Sequence, residues 1–471
     1  MTFSSILFLL GFLPLFLVVY FLSADKVRNG VLLAASLFFY AWAQPSFVWL
    51  ILADAGMTWM MGILLAKWDS RSLRKALFAL AVLADLGTLV YFKYLDFIIR
   101  MLNRVFHGHM NQLNLVLPIG ISFYVFKSIS YLADVYRGTT AAEKNPLCIA
   151  VYMMNFPQVM SGPIDRDPGM SPAIHARTVT TERFAYGIQR LIIGLTKKAV
   201  LADTLGAFVN QVWNTGLGTS RVSVVWIASA AYTLQIYYDF SGYSDMAIGI
   251  GHFLGFDFPE NFNLPYVSRS VTEFWRRWHI TLGSWFRDYV YIPLGGNRKR
   301  VYLNLFIVFL LTGIWHGAAW SFFLWGIWHG LLVCAERRVI RRKKAAPSHP
   351  ALAGVLSHLY LLCVVNFGWV LFRAGSLSNA KIYLRNMAGI LSGSWSGFSL
   401  SYYLDRWTLF VLAAAAFFAS GVPSAAVRRI RSRMNETAYT VLKHCVLLLL
   451  LWGSVMTLMT DTYHTFIYFQ F

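Results

Sequence analysis

Apolar residues in this chain run in long unbroken stretches, not in the two- or three-to-four-residue spacing of a soluble core. The stretches are Ile6–Leu22, Val31–Ala43, Phe47–Leu65, Leu77–Phe92, Val222–Ile236, Leu352–Phe372, Leu409–Ala419 and Val441–Met459. Each can cross the roughly 30 Å hydrocarbon layer, or nearly so once flanking residues are added. Only helices and closed barrels satisfy their backbone groups in lipid, so runs of this length predict an all-α, polytopic transmembrane bundle. The first run has no basic segment before it and no small-residue cleavage site after it, so it reads as a helix and not as a removable signal.

Four regions depart from simple crossing. Asn155–Pro163 and Asp239–Asp245 carry Pro, Gly, Asn, Asp or Ser at membrane depth, where irregular backbone persists only inside protein or beside a wet cavity. Leu305–Cys334 is too long for one crossing and lies between basic clusters. It predicts a helical hairpin that turns near Gly317–Trp320. Gly313-Ile314-Trp315-His316-Gly317 then lies deep in the protein, and Ile327-Trp328-His329-Gly330 echoes it thirteen residues later as a packing repeat. Finally, Trp275, Trp278, Leu282, Trp285 and Tyr289 recur every three or four residues and predict an amphipathic helix over Val271–Tyr289. Arg276, Arg277, Ser284 and Arg287 take its other side, and His279 points into the apolar face.

Composition agrees. Only 13% of the 471 residues are charged, against about 25% in soluble domains. The net charge of +20 does not imply nucleic acid, because the basic residues sit in short loops: Lys26/Arg28, Lys67–Lys75, Arg298–Arg300, Arg337–Lys344 and Arg428–Arg433. That is the positive-inside pattern, and counting crossings between the loops predicts periplasmic N- and C-termini. Cys148, Cys334, Cys363 and Cys445 have no paired spacing, so neither a disulfide framework nor a metal site is expected.

Ionisable groups inside a membrane are costly and mark function by default. His316, His279, Asp239 and Asp245 are the strongest candidates. A neutral imidazole is cheaper to bury than a carboxylate and exchanges protons near neutral pH. The island Asp239-Phe240-Ser241-Gly242-Tyr243-Ser244-Asp245 suits a cation ligand, a partner that orients a histidine, or a cap after a helix break. Leu294-Gly295-Gly296-Asn297-Arg298-Lys299-Arg300 suits phosphate binding through backbone amides and cationic side chains, or a plain hairpin turn.

Taken together, Leu117–Tyr124, Tyr238–Ala247, Glu273–His279, Leu294–Arg298, Gly313–Gly317 and the terminal Tyr468–Phe471 resemble the membrane-bound O-acyltransferase family, in particular its bacterial polysaccharide O-acetyltransferases. The resemblance covers nearly the whole chain as one domain, 1–471. It implies a helical bundle around a central tunnel, with His316 as the catalytic residue and His279 as its companion. Substrate contacts are expected from Arg276, Arg277, Asp239, Ser241, Asn297 and Arg298. No resident cofactor is expected. The implied donor is acetyl-CoA, and the implied partner is a periplasmic SGNH-type acetyltransferase or a polysaccharide synthase complex in a bacterial inner membrane. Ser161-Gly162-Pro163-Ile164-Asp165-Arg166 looks more like the D-alanyl-teichoic-acid branch, so D-alanyl transfer is the alternative. A transporter lined by buried histidines and aspartates is the rival from another class, but no inverted repeat supports it.

Overall fold

A computed structural model describes residues 1–166, 172–216, 220–342, 349–390 and 398–460. Lys343, Lys344 and the terminal motif Tyr468–Phe471 lie outside the described residues. Every regular element among the described residues is helical. In chain order they are α1 Leu13–Leu22, α2 Arg28–Ala43, α3 Val48–Lys67, α4 Arg71–Phe106, α5 Ile121–Arg137, α6 Pro146–Met154, α7 Phe156–Val159, α8 Thr181–Thr196 and α9 Asp203–Gly216. There follow α10 Val222–Leu254, α11 Val271–Arg277, α12 Ile280–Phe286, α13 Val301–His316, α14 Trp320–Arg342 and α15 Pro350–Arg373. The last are α16 Leu377–Met387, α17 Leu400–Tyr403, α18 Arg406–Ala419, α19 Val422–Arg431 and α20 Glu436–Thr460.

Among the described residues, four helical segments are long and apolar enough to cross a bilayer alone: Pro45–Lys67, Arg71–Phe106, Pro350–Arg373 and Glu436–Thr460. Helices α18 and α19 pass the same measure only as a pair, and the bend of 67° between them fits a broken span or a re-entrant loop. Leu10, Leu22 and Trp49 stand 76%, 83% and 77% exposed. Leaving a side chain of that size in water forfeits about 1.5–3 kcal/mol, so lipid is the medium such surfaces fit. The protein is a multi-pass membrane protein.

The chain forms two compact units, Met1–Leu191 with Tyr243–Glu260, and Ile192–Gly242 with the chain from Asn261 onward. In the first unit α5 is buried along nearly its whole length. Its Ser128 hydroxyl donates to Asp85 Oδ2 at 2.7 Å and meets Thr58 Oγ1 at 2.7 Å, so polar groups deep in the unit satisfy one another. The expected irregularity at Asn155–Pro163 is present. Helix α6 stops at Met154, α7 lasts one turn, and no helix follows to Arg166. Lys127 Nζ donates to Tyr152 O at 2.9 Å and to Gln158 Oε1 at 2.6 Å, while Gln158 Nε2 donates to Pro163 O. Those bonds let broken backbone survive away from water.

Two sequence expectations fail. The island Asp239–Asp245 does not interrupt the chain but continues inside α10. Each aspartate has a cation: Lys198 Nζ lies 2.7 Å from Asp239 and 2.5 Å from Asp203, and Arg190 pairs with Asp245. A buried carboxylate compensated in this way leaves no reason for the helix to open. The second correction concerns Val271–Tyr289, which is not one amphipathic helix. It breaks at Trp278–His279 between α11 and α12 and ends in a π-helical turn, Arg287–Tyr291. At the break Asn263 N–H donates to Arg277 O and Ile280 N–H donates to Asn261 O, so a neighbouring segment takes over the backbone bonds the helix gives up.

The predicted hairpin is present as α13, a turn over 317–319, and α14. Its two helices meet through glycines. A Cβ on Gly313 would lie 2.5 Å from Phe322 O and 2.9 Å from Gly326 Cα, and one on Gly326 would lie 2.6 Å from Phe309 O. Small residues at such a seam let backbones approach where the bilayer gives little hydrophobic drive.

Candidate active site: two histidines and an arginine-lined cavity

Apart from Asp245, which lies in the first unit, the candidate residues on α10–α14 belong to the second unit. Helix α11 is anchored at its start, where Val271 N–H and Thr272 N–H donate to the Glu336 carboxylate at 2.7 and 2.9 Å and Ser270 Oγ accepts from Glu273 N–H at 3.0 Å. Immediately after this short helix stands His279, whose backbone is left-handed (φ 44°, ψ 53°) and whose side chain is 2% exposed. A non-glycine residue there stores about 1–3 kcal/mol of strain. The surroundings that hold it include Asn261. His279 Nδ1 lies 3.0 Å from Asn261 Oδ1, which also accepts from Thr281 Oγ1 at 2.9 Å. With an amide oxygen as its partner, Nδ1 carries the proton and Nε2 carries the lone pair. The ring also packs edge-on against Phe240 at 4.7 Å.

His279 lines a cavity of about 660 Å³ with Arg276, Arg287, Asn297, Thr312 and Arg337. Asn297 Oδ1 accepts from Arg337 Nη2 at 2.8 Å and from Tyr291 OH at 2.9 Å, which fixes this part of the wall. Arg287 pairs with Asp288 at 2.7 Å, and those hydrogen bonds raise its pKa above the ordinary guanidinium value. Three guanidinium groups beside apolar walls suit an anionic ligand with an uncharged reacting end.

Thr312 is one helical turn before His316 on α13, so His316 stands one turn beyond the cavity wall. It is the last residue of α13, 6% exposed, with its ring 4.9 Å from Trp315, 5.0 Å from Trp325 and 4.9 Å from Phe372. Trp315 also reaches the His279 ring at 6.2 Å, which makes it the aromatic link between the two histidines. The second motif's His329 is fully buried inside α14, with Trp275 Nε1–H 3.4 Å from its Nδ1.

The other sequence candidates divide. Arg276 lines the cavity, whereas Arg277 is tied to Glu273 at 2.9 Å and to Asn263 O at 3.3 Å. Asp239 is held by Lys198, and Ser241 is buried on the same helix; neither lines the cavity. Asn297 lines it, while Arg298 is exposed on the adjoining turn. Sequence reasoning did not single out Asn261, Thr312, Arg287 or Arg337 for the site. Asn261 is 18 residues from its histidine with no motif between them, so no local signal could have found it.

Residues 144–372 match the family described as MBOAT, membrane-bound O-acyltransferase family. The chain is 38% identical to the probable alginate O-acetylase AlgI of Azotobacter vinelandii, with all of both chains covered. It is 41% identical to the protein of the same name from Pseudomonas aeruginosa, over 81% of this chain and 73% of that one. It is 32% identical to the peptidoglycan O-acetyltransferase of Helicobacter pylori, over 82% of this chain and 80% of that one.

Proposed function

Because the chain belongs to the membrane-bound O-acyltransferase family and is an acyltransferase, we propose that it transfers acetyl from acetyl-CoA for O-acetylation of an exported polysaccharide such as alginate. The observation that carries this reading is the cavity in which Arg276, Arg287 and Arg337 share a wall with His279, one helical turn from His316. The arginines bind the donor's phosphates, and the apolar wall takes the uncharged acyl arm. His316 takes the proton of the acceptor hydroxyl as its oxygen attacks the thioester carbonyl. An ester forms, the C–S bond breaks, and the proton passes to the departing thiolate. His279, its Nδ1 proton engaged by Asn261, presents Nε2 as companion. The acceptor is a sugar hydroxyl of the polymer or a serine of a periplasmic SGNH-type acetyltransferase. The enzyme works in the bacterial inner membrane with periplasmic termini, its basic loops facing the donor's compartment.

Calorimetric titration of the purified, detergent-solubilised protein with acetyl-CoA tests the reading. Arg276→Ala is expected to weaken binding about 10- to 100-fold, the scale of a lost hydrogen bond to a charged group. Arg277→Ala should bind nearly as wild type, since that side chain is engaged by Glu273. His279→Ala should bind normally and turn over poorly, because its loss is felt in the transition state. A wild-type protein with no affinity for any acyl thioester would make the cavity a transport path and end the proposal. Preference for a D-alanyl thioester would move the reaction to the teichoic-acid branch.

A further inference from the structure

Away from the histidines and arginines of the cavity, the first unit brings together three side chains of a different chemistry. Glu143, in the loop before α6, Cys148, in the first turn of α6, and His175 each offer one donor atom, and these atoms all lie within 4.8 Å of one another. We propose that Glu143, Cys148 and His175 form a binding site for a divalent transition metal of the zinc class.

The donor set selects the metal. A thiolate and an imidazole favour zinc, whereas calcium and magnesium take oxygen ligands. One thiolate and one carboxylate also balance the charge of a divalent ion, as burial requires. The donors are aimed by their own neighbours. Glu143 Oε1 accepts from Asn145 N–H at 2.8 Å, which turns Oε2 toward His175. The Glu143 N–H itself donates to Tyr131 OH at 2.9 Å. Asn145 caps α6 through Leu147 N–H at 3.0 Å, and its carbonyl accepts from Cys148 N–H at 3.0 Å, so one residue sets both the glutamate and the cysteine. Cys148 is buried at 4% exposure. The segment bearing His175 is fixed where Asn29 Nδ2 donates to Ile174 O at 3.0 Å and Arg177 Nη1 donates to Ala173 O at 3.2 Å.

His175 Nε2 and Glu143 Oε2 lie 2.6 Å apart, a hydrogen bond. Two nitrogen or oxygen ligands of a tetrahedral zinc, each about 2.1 Å from it, are separated by about 3.4 Å. Metal entry therefore replaces that hydrogen bond and parts the two side chains by less than about 1 Å. His175 is half-exposed, so its ring is free to make the shift and gives the ion a path inward. Three protein ligands leave a fourth position for water. Without a metal the three side chains would be an ordinary histidine–glutamate pair beside an inert thiol. That pair needs no sulfur, and this is what the test uses.

Full-length protein freed of any affinity tag and stripped with chelator is titrated with Co²⁺, then with Zn²⁺ in competition. One metal per chain and a sulfur-to-cobalt charge-transfer band are expected. Cys148→Ser should abolish the band, His175→Ala should weaken Zn²⁺ binding at least about tenfold, and Cys334→Ser should change neither. Affinity should fall as pH is lowered, because thiol and imidazole must both shed protons to bind. Helix content by circular dichroism and the surface position of His175 keep a misfolded variant from mimicking the loss. Binding well below one equivalent, or binding indifferent to both Cys148→Ser and His175→Ala, overturns the site.

Discussion

The same five residues, Gly-Ile-Trp-His-Gly, occur at 313–317 and at 326–330, and the fold gives them opposite circumstances. The first copy ends a helix. His316 is the terminal residue of α13, and Gly317 after it is extended (φ 176°, ψ 162°). The second lies inside α14, where His329 is buried completely and a Cβ on Gly368 would stand 2.5 Å from its Nε2. The leading glycines of the two copies pack on each other, and Trp325 lies 5.0 Å from the His316 ring and 4.9 Å from that of His329. Identical sequence thus yields one histidine at a turn, a turn's length from a cavity, and one wedged between helices. His329 accepts at Nδ1 from Trp275 and so carries its proton on Nε2. A histidine that must collect a proton from a substrate needs an accessible lone pair, and the interior of α14 offers none.

The largest effect should come from the histidines themselves. His316→Ala is expected to lower acetyl transfer about 10²- to 10⁴-fold, the usual range for a lost general base, with the protein still accumulating in the membrane. His329→Ala should keep most of the activity per folded molecule. Equal losses from the two would erase the distinction. Next in size is the crossing of the leading glycines. Gly313→Ala puts a methyl group against Phe322 O and Gly326 Cα, which are backbone and cannot turn aside, and should cost about 1–3 kcal/mol, read as a lower melting temperature in detergent. A Gly313→Ala protein as stable as wild type would mean that the seam is looser than drawn. The smallest effect belongs to Gly330→Ala. Its nearest neighbours are Phe306 Cδ2 at 3.2 Å, on a ring that can turn aside, and Phe309 Cβ at 3.3 Å, which a shift of a few tenths of an ångström relieves, so stability should change by less than about 1 kcal/mol.

What could be read from sequence follows from how local each cause is. The hairpin was legible because its length, its flanking charges and its glycines are all contiguous. Phe47–Leu65 anticipated α3 within two residues, whereas Leu77–Phe92 found only the middle of α4, whose ends carry polar residues that an apolar count rejects. The break at His279 was invisible because the stripe of Trp275, Trp278, Leu282 and Trp285 keeps its spacing across it, while its cause, Asn261 and Asn263, comes from another segment. The island Asp239–Asp245 was misread for the same reason: its cations, Lys198 and Arg190, are more than forty residues upstream. The histidines were singled out because their motifs are short and continuous. Of the cavity's arginines, Arg276 was singled out because it shares a motif with His279, whereas Arg287 and Arg337 come from separate elements and were not.

Helix α13 has 16 residues, which at about 1.5 Å each makes roughly 24 Å, less than the roughly 30 Å thickness of the hydrocarbon layer. Its last carbonyl groups would then end within the lipid, where nothing satisfies them, unless other protein is already alongside. The ring that covers its tip, Phe372, is at the far end of α15, synthesised more than fifty residues after His316. During biosynthesis α13 can pair with α14 as soon as that helix is made, but its tip gains the cover of Phe372 only once α15 has followed. The residue proposed to perform the chemistry is thus enclosed later than its own hairpin, and a chain cut short before α15 would carry its histidine without Phe372 over it.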